Sequence, residues 1–290
     1  MEPSTDPSTG DTRAVRTVEA ENGRTVAWRS VGDPEGTPAL FLHGTPGSAE
    51  LASLYAEAAA DRGVLIVAPD RPGYGDSPPW PDWQPRNAGV ALAPVLDAID
   101  VTAAPVIAFS GGAPFALGLA AERPARVASL TLVSAASPHG MGETLPRQLR
   151  LLGSLARAVP RLSGVAYWLQ GALAGRRPAA AVDQLTTGDR SVEASIAETV
   201  GQDIQTGLAG SRAGAVAESR LFGKSWDLPL SDIEADTVLY HGTADTNAPL
   251  SGAAALAETL PNATLSRVAG ADHLGTLTRT RAEVLERTVG

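Results

Sequence analysis

The sequence predicts an α/β fold in which a mostly parallel central sheet carries helices on both faces and a helical cap insertion. Short apolar segments alternate with longer amphipathic ones, which is typical of buried parallel strands joined by crossover helices. One apolar strand runs directly into a Ser-Gly-Gly turn, and residues 135–233 have helical periodicity without a clear strand. With 290 residues, 43% of them hydrophobic, the chain is long enough for one domain with a full core.

The individual elements follow from the apolar runs and from the residues that separate them. Apolar runs predict strands, and the Ala-rich or amphipathic stretches between them predict helices. Turns at 43–47 and 110–112 and a Pro/Gly loop at 69–81 separate the first elements. The predicted strands are 25–31, 38–42, 64–68, 105–109, 127–133, 238–240 and 263–268; the predicted helices are 48–62, 86–99, one that ends near 123, 250–259 and 273–287.

The domain organisation follows from the position of the strand-free stretch. Because two strands come after it, we interpret residues 138–230 as a helical cap or lid inserted into a core formed by 14–137 and 231–290. A separate C-terminal domain would leave those two strands without a sheet. Residues 1–13 are rich in Pro, Ser, Thr and Asp and predict a flexible N-terminal tail.

Charge and composition argue against several classes of function. A formal charge of -9 at pH 7, from 32 acidic and 23 basic residues, disfavours nucleic acid or an anionic membrane surface as the main partner. The chain has no cysteine and only four histidines, none in an H-E-x-x-H pattern, so we expect no metal site. No apolar run reaches the roughly 18 residues that a membrane helix needs. We expect a cytoplasmic monomer or homodimer that acts on a small molecule.

The segment Ala108-Phe109-Ser110-Gly111-Gly112 is the most informative part of the sequence. A serine at a sharp strand-to-helix corner is held in a strained backbone conformation, so its neighbours must be small enough for the strand and helix to approach. Ala108 and Gly112 meet that requirement. The corner also places the Gly111 amide at a helix N-terminus, which favours an oxyanion. The alternative is an ordinary glycine-rich turn capped by a serine.

Two further side chains complete a possible nucleophilic site. A serine hydroxyl needs a base to remove its proton, and the base needs a carboxylate to orient it. Asp245 lies after the predicted strand 238–240, and His273 lies after the predicted strand 263–268. Alone, each is equally typical of a turn or of a helix terminus. Together with Ser110 they lie at the carboxyl ends of strands, where α/β sheets bind ligands.

The turn His43-Gly44-Thr45-Pro46-Gly47 offers a second oxyanion donor. We expect the amides of Thr45 and Gly111 to converge on the negative oxygen of a tetrahedral intermediate. His43 and His241 are each followed by a glycine and are interpreted as structural, whereas the sequence leaves open whether His139 faces the pocket or water.

These segments resemble those of serine α/β-hydrolases of the esterase, lipase and haloperoxidase-like group. The resemblance covers the chain from about residue 25 to its end, and Ala108 departs from it because the family usually has glycine there. It implies an α/β-hydrolase fold in which Ser110 is the nucleophile, His273 the general base and then acid, and Asp245 the orienting carboxylate, with the amides of Thr45 and Gly111 as the oxyanion hole. The segments that carry it are 43–47, Pro69-Asp70-Arg71-Pro72-Gly73-Tyr74-Gly75-Asp76-Ser77, Ser110-Gly111-Gly112, Asp245 and Asp272-His273. The loop at 69–77 is implied to be mainly structural.

The resemblance implies a cofactor-independent hydrolase that cleaves an ester or related acyl compound through an acyl-enzyme. Perhydrolysis of acids by peroxide and cleavage of carbon–carbon bonds remain open, because the same triad supports both. Ligand binding without catalysis remains open as well, because the fold alone does not guarantee chemistry. Relatives that open epoxides or remove halogen carry an aspartate where Ser110 stands, so those reactions are disfavoured.

The insertion contains three aromatic residues that could line an apolar substrate pocket. These are Tyr167, Trp168 and Trp226, for which packing of the cap on the core is an equal alternative. The segment Gly223-Lys224-Ser225 resembles the end of a phosphate-binding loop, but Glu218 stands where the first glycine of such a loop should be. We therefore expect no phosphate site there.

Overall fold

A computed structural model of the chain describes residues 14–142, 145–186 and 192–289. An eight-stranded sheet runs through it in the order β1-β2-β4-β3-β5-β6-β7-β8. β2 is antiparallel to both of its neighbours, and all other neighbouring strands are parallel. The predicted mostly parallel α/β sheet is therefore confirmed. The strands are β1 (Arg16–Glu19), β2 (Thr25–Gly32), β3 (Thr37–Leu42), β4 (Val64–Pro69), β5 (Ala104–Phe109), β6 (Val127–Val133), β7 (Thr237–Gly242) and β8 (Ala263–Val268).

Helices cover both faces of this sheet, and each face has its own apolar cluster. Along β5, Val106 and Ala108 point into one cluster, whereas Ile107 and Phe109 point into the other. Side chains alternate across a strand, so a strand buried on both faces must be apolar throughout. This explains the continuous apolar runs of the sequence. The helices are α1 (Ala56–Ala60), α2 (Ala88–Asp97), α3 (Ala113–Glu122), α4 (Arg147–Ala158), α5 (Pro160–Arg176), α6 (Pro178–Val182), α7 (Ala194–Ala209), α8 (Ala213–Ser219), α9 (Leu250–Thr259), α10 (His273–Arg279) and α11 (Arg281–Val289).

Three elements differ from the sequence prediction. β1 was not predicted, because this edge strand has only four residues and alternates between half-buried and exposed positions. The predicted helix 48–62 is a 3-10 helix at Ala49–Tyr55 followed by the short α1. The predicted helix 273–287 is divided at Thr280 into α10 and α11.

The helices α4 to α8 lie between β6 and β7, and the described part of this stretch contains no strand. They carry several residues of the apolar cluster that contains Ile107 and Phe109, among them Tyr167, Ile204 and Leu208. The limits 138–230 proposed for a cap remain a prediction, and the predicted tail at 1–13 lies outside the described residues. No helix in the described ranges has both the length and the apolar character of a transmembrane segment.

Candidate active site

The candidate residues lie at one edge of the sheet, because each of them follows the carboxyl end of a parallel strand. Thr45 follows β3, Ser110 follows β5, Asp245 follows β7 and His273 follows β8. Because parallel strands end at the same edge, residues that are far apart in the sequence become neighbours in the fold. The structure brings all four together.

Ser110 lies on a sharp corner between β5 and α3. Its φ is 51°, in the left-handed region that non-glycine residues rarely adopt. A Cβ at Gly112 would lie 2.5 Å from the carbonyl oxygen of Leu42, so only glycine lets the corner approach β3 this closely. This tight corner projects the Ser110 hydroxyl away from the sheet.

A continuous hydrogen-bond chain joins the serine, the histidine and the aspartate. The Ser110 Oγ lies 2.9 Å from the His273 Nε2, and the His273 Nδ1 lies 2.8 Å from the Asp245 Oδ2. An ionised carboxylate can only accept, so the proton of the neutral ring sits on Nδ1. Nε2 is then left with a lone pair that faces the serine hydroxyl, which is the arrangement that removes a proton from it.

Asp245 is held in its charged form although it is buried. Burial raises its pKa, but the charge and hydrogen bond of His273 and the amide of Ala248 outweigh that effect and hold the pKa below its usual value. Its Oδ1 accepts from the amides of Asn247 and Ala248, each at 2.9 Å. The carboxylate is thus fixed in orientation and presents Oδ2 to the imidazole.

The backbones of Thr45 and Gly111 lie close together beside Ser110. A Cβ built on Gly111 would lie 3.1 Å from the Thr45 nitrogen, so the two backbones are in close contact. The Gly111 amide is in the first turn of a helix, where an N–H group has no carbonyl partner within the helix. Two such donors can stabilise a developing negative oxygen.

The orientation of the Thr45 amide is fixed from behind by buried side chains. The Gly44 carbonyl accepts from Arg71 Nη2 at 3.0 Å and lies 2.8 Å from the His43 Nδ1. In a planar trans peptide the C=O and N–H groups point in opposite directions. The bonds to the Gly44 oxygen therefore aim the Thr45 N–H away from Arg71. Burial and the Arg71 charge lower the pKa of His43 well below its usual value, so this ring is neutral.

Arg71 is in turn held by a carboxylate from α8. Its Nε donates to the Glu218 Oε1 and its Nη2 to the Glu218 Oε2, each at 2.8 Å. Both side chains are almost completely buried, with exposed fractions of 0% and 2%. Burial by itself would lower the pKa of Arg71, but the charge and hydrogen bonds of Glu218 have the larger combined effect and raise the pKa above its usual value. The guanidinium therefore stays charged. Glu218 also accepts from Thr45 Oγ1, Tyr74 and Trp83, at 2.5, 2.8 and 3.1 Å.

A second carboxylate between β6 and β7 reaches the same loop. Asp203 on α7 accepts from the Ser48 amide at 2.6 Å and from the Ser48 hydroxyl at 3.1 Å. Burial raises the pKa of Asp203 to about 8, and the Ser48 bonds offset this only in part. The helical segment therefore holds the 43–48 loop from two sides, through Glu218 and through Asp203.

Comparison with known proteins identifies the family to which this arrangement belongs. A model of the alpha/beta hydrolase fold matches residues 37–280, which is more than half of the chain. The chain belongs to the α/β-hydrolase fold family.

Individual relatives of this α/β-hydrolase are distant. An uncharacterized hydrolase, YcgS, of Bacillus subtilis (strain 168) is 32% identical over 165 residues, which cover 52% of the chain and 57% of that protein. An alpha/beta hydrolase fold protein from Nakamurella multipartita is 26% identical, with a TM-score of 0.65 over 96% of this chain and 100% of that one. The esterase RhEst1 from Rhodococcus sp. ECU1013 is 22% identical, with a TM-score of 0.72 over 95% and 98% of the two chains. The chain thus spans just over half the length of the curated relative.

Two cavities meet at Ser110 in this α/β-hydrolase. The smaller has a volume of about 90 Å³ and is lined mainly by apolar side chains that include Phe115, Leu221 and Trp226. The larger has a volume of about 670 Å³ and includes polar groups such as Gln148 and Gln170. Both are lined by Ser110, Thr45 and His273, so the candidate nucleophile lies at their junction.

The remaining residues singled out in the sequence differ in their position relative to the two cavities. Trp226 lines the smaller cavity and Tyr167 the larger one. Trp168 lines neither and is 54% exposed, because successive residues of a helix point in different directions and its neighbour Tyr167 faces inward. Its role as a pocket residue stays a prediction that the position of its side chain does not support. His139 is exposed and also lines neither cavity. His241 is buried, and its Nε2 lies 2.9 Å from the Ala248 carbonyl.

Sequence reasoning missed the residues that support the site. Arg71 belongs to a loop that was interpreted only as structural, and Glu218 was considered only as a mismatch to a phosphate-binding loop. Asp203 has no distinguishing sequence context. The single available signal was the charge of Arg71 in a Pro/Gly loop between buried elements, because a buried charge requires a partner. Within the described ranges, no group of three His, Cys, Asp or Glu side chains could hold a metal ion.

Proposed function

We propose that this protein is a serine hydrolase that cleaves an ester through an acyl-enzyme. The observation that carries the proposal is the hydrogen-bond chain from the Ser110 Oγ to the His273 Nε2 and from the His273 Nδ1 to Asp245. Family membership and the hydrolase description of the Bacillus subtilis relative support the same reaction class.

In this mechanism His273 moves one proton twice in each half-reaction. Its Nε2 takes the proton of Ser110 as the oxygen attacks the ester carbonyl, and Asp245 stabilises the imidazolium that forms. The carbonyl oxygen becomes negative and is stabilised by the amides of Thr45 and Gly111. His273 then gives the proton to the departing alcohol oxygen, and an acyl group remains on Ser110. Water attacks by the same steps in reverse and releases the acid.

The two cavities suggest which part of the ester lies on each side of Ser110. The smaller, apolar cavity of only about 90 Å³ suits a short apolar acyl group. The larger cavity of about 670 Å³ fits a bulkier alcohol with polar groups. Departure of the alcohol from the larger cavity leaves space beside His273 for the hydrolytic water. The partner in this proposal is therefore a small-molecule ester with a short apolar acyl group.

Two measurements test the proposal. A fluorophosphonate reagent should label Ser110 stoichiometrically, and Ser110→Ala should lose both labelling and hydrolysis of p-nitrophenyl butyrate while its thermal unfolding is unchanged. Wild-type turnover by Ser110→Ala would refute the assignment of the nucleophile. A protein that folds but is neither labelled nor active would instead be a binding protein.

Perhydrolysis and carbon–carbon cleavage can be compared in the same preparation. Adding hydrogen peroxide and a short carboxylic acid to the assay would reveal peracid formation, and a β-diketone would reveal carbon–carbon cleavage. The proposal requires ester hydrolysis to be the fastest of the three reactions. A cytoplasmic location and a monomeric or dimeric state belong to the same proposal and are tested by cell fractionation and light scattering.

A further inference from the structure

Six of the 23 basic residues of the chain lie on or next to α4 and α5. Residues 145–177 contain six arginines and no acidic residue, although the whole chain carries a net charge of -9. All six side chains are exposed, and none forms an ion pair with another described residue. They are Arg147, Arg150, Arg157, Arg161, Arg176 and Arg177. This region is therefore a positive surface on a protein that is negative overall.

An apolar stripe runs along the same helix. Six large apolar side chains on or next to α5 have exposed fractions between 46% and 54%. Leu162, Val165, Leu169 and Leu173 follow each other at intervals of three or four residues, which places them on one helix face. We call the stripe and the arginines beside it the basic apolar face. The stripe consists of Val159, Leu162, Val165, Trp168, Leu169 and Leu173.

The opposite side of α5 faces the larger cavity at Ser110. Tyr167 and Gln170 both line that cavity, and Tyr167 is only 2% exposed. The inner face of α5 therefore packs within the chain, whereas its outer apolar residues are exposed to solvent. A row of uncovered apolar residues marks a surface that meets a membrane or another molecule.

We propose that the basic apolar face docks on an anionic lipid surface. The arginines meet the negative headgroups, and Leu162, Val165, Leu169 and Leu173 enter the edge of the acyl region. In this orientation the cavity-facing side of α5 lies just above the lipid. This inference does not depend on the proposed hydrolysis, because a protein without activity would dock in the same way.

A second copy of the chain fits this face less well. A symmetric dimer places the same face of both copies in contact, which would bring arginine against arginine. The exposed face of a 17-residue helix is also small for a protein partner. At about 26 Å by 10 Å it offers roughly 260 Å², whereas a stable interface needs about 800 Å² from each partner. A lipid surface needs no complementary shape, so these limits do not apply to it.

Vesicle flotation of the full chain tests the proposal. The probes are vesicles of phosphatidylcholine alone and of phosphatidylcholine with phosphatidylglycerol. We expect binding to the anionic vesicles only, and weaker binding as salt is added. Leu169→Ser/Leu173→Ser and Arg176→Gln/Arg177→Gln should each lower the partition coefficient at least about tenfold, which corresponds to about 1.4 kcal/mol.

Matched variants elsewhere on the surface serve as controls. Val15→Ser/Val289→Ser removes two apolar side chains that are 44% and 49% exposed, and Arg86→Gln/Arg267→Gln removes two exposed positive charges. Both should bind anionic vesicles like the wild type, and hydrolysis of a soluble ester should be equal in all four variants. Absence of vesicle binding, equal binding to neutral vesicles or an equal effect of the controls would overturn the proposal. So would a dimer that Leu169→Ser/Leu173→Ser dissociates, because the occupant would then be a second copy.

Discussion

Replacement of Arg71 by lysine should disable the oxyanion hole while the triad stays intact. The guanidinium uses Nε and Nη2 to hold Glu218, and its Nη1 and Nη2 bind the carbonyls of His43 and Gly44. A lysine ammonium keeps a positive charge beside Glu218 but presents its donors from one point, so it cannot reach both sides. The Gly44–Thr45 peptide then loses one of the two bonds that hold the orientation of the Thr45 N–H.

The size of the decrease in kcat follows from the number of oxyanion N–H donors that depend on Arg71. Only one of the two amides, that of Thr45, depends on Arg71, because Gly111 is held by α3. Loss of one oxyanion donor costs about 3 kcal/mol, or roughly 100-fold in kcat. The remaining bond of 2.8 Å between His43 and the Gly44 oxygen holds part of the population in place, so we expect a decrease between about 10-fold and 100-fold. KM should change little, because the donor acts mainly in the transition state.

Steady-state kinetics with a short aryl ester and thermal unfolding measure the two consequences separately. Arg126→Lys is the matched control, because Arg126 also donates to two carbonyls, of Ala93 and Val101, and pairs with Asp97 at a site remote from Ser110. It should leave kcat unchanged. A folded Arg71→Lys protein with wild-type kcat, or with a raised KM alone, would refute the idea that Arg71 orients the amide.

Three further predictions concern the same region. Asp245→Asn should lower kcat about 10⁴-fold by reversing the histidine tautomer, whereas Asp232→Asn at an exposed site should have no effect on kcat. Burial raises the pKa of Asp203 to about 8, so the folded protein keeps a proton that the unfolded chain releases above about pH 4. The stability contribution of that protonated carboxyl should fall as pH rises from about 4 to 8, and Asp203→Asn should flatten this part of a Tm-against-pH curve. Trp226→Ala should move the preferred acyl length of p-nitrophenyl esters upward, and Trp168→Ala should not; a preference unchanged by Trp226→Ala would contradict the placement of the acyl group in the smaller cavity.

The sequence predicts the central strands well because burial on both faces leaves them no polar positions. Ile107 and Phe109 pack on one face of β5, and Val106 and Ala108 pack on the other. β1 lacks this signal because it is a short edge strand with Arg16 and Glu19 in half-buried or exposed positions. A continuous apolar run therefore identifies a strand that is buried on both faces, and an exposed edge strand such as β1 gives no such signal.

The candidate triad was accessible to sequence reasoning for a related reason. Each of its members follows a recognisable strand, and the sheet itself brings strand ends together. The supporting pair Arg71 and Glu218 has no such marker, because its members are 147 residues apart and meet through the packing of α8 on the core. Charged residues are almost never buried without a partner, so neither residue alone indicates where it will be found. The candidate catalytic groups can thus be predicted from topology, whereas the groups that support them depend on tertiary packing.

The same distinction separates the net charge of the whole chain from the charge of one surface. A charge of -9 is a sum over the whole chain, whereas a charge in solution acts over a screening length of about 8 Å at physiological ionic strength. Six arginines without an acidic neighbour in the sequence range 145–177 therefore create a positive field that distant carboxylates do not cancel. The remaining residues carry the balance of the negative charge, which repels an anionic surface and turns the rest of the molecule away from it. If the proposal holds, this acidic protein should bind an anionic surface in one orientation, with the outer side of α5 on the lipid and the cavity side of α5 facing away from it.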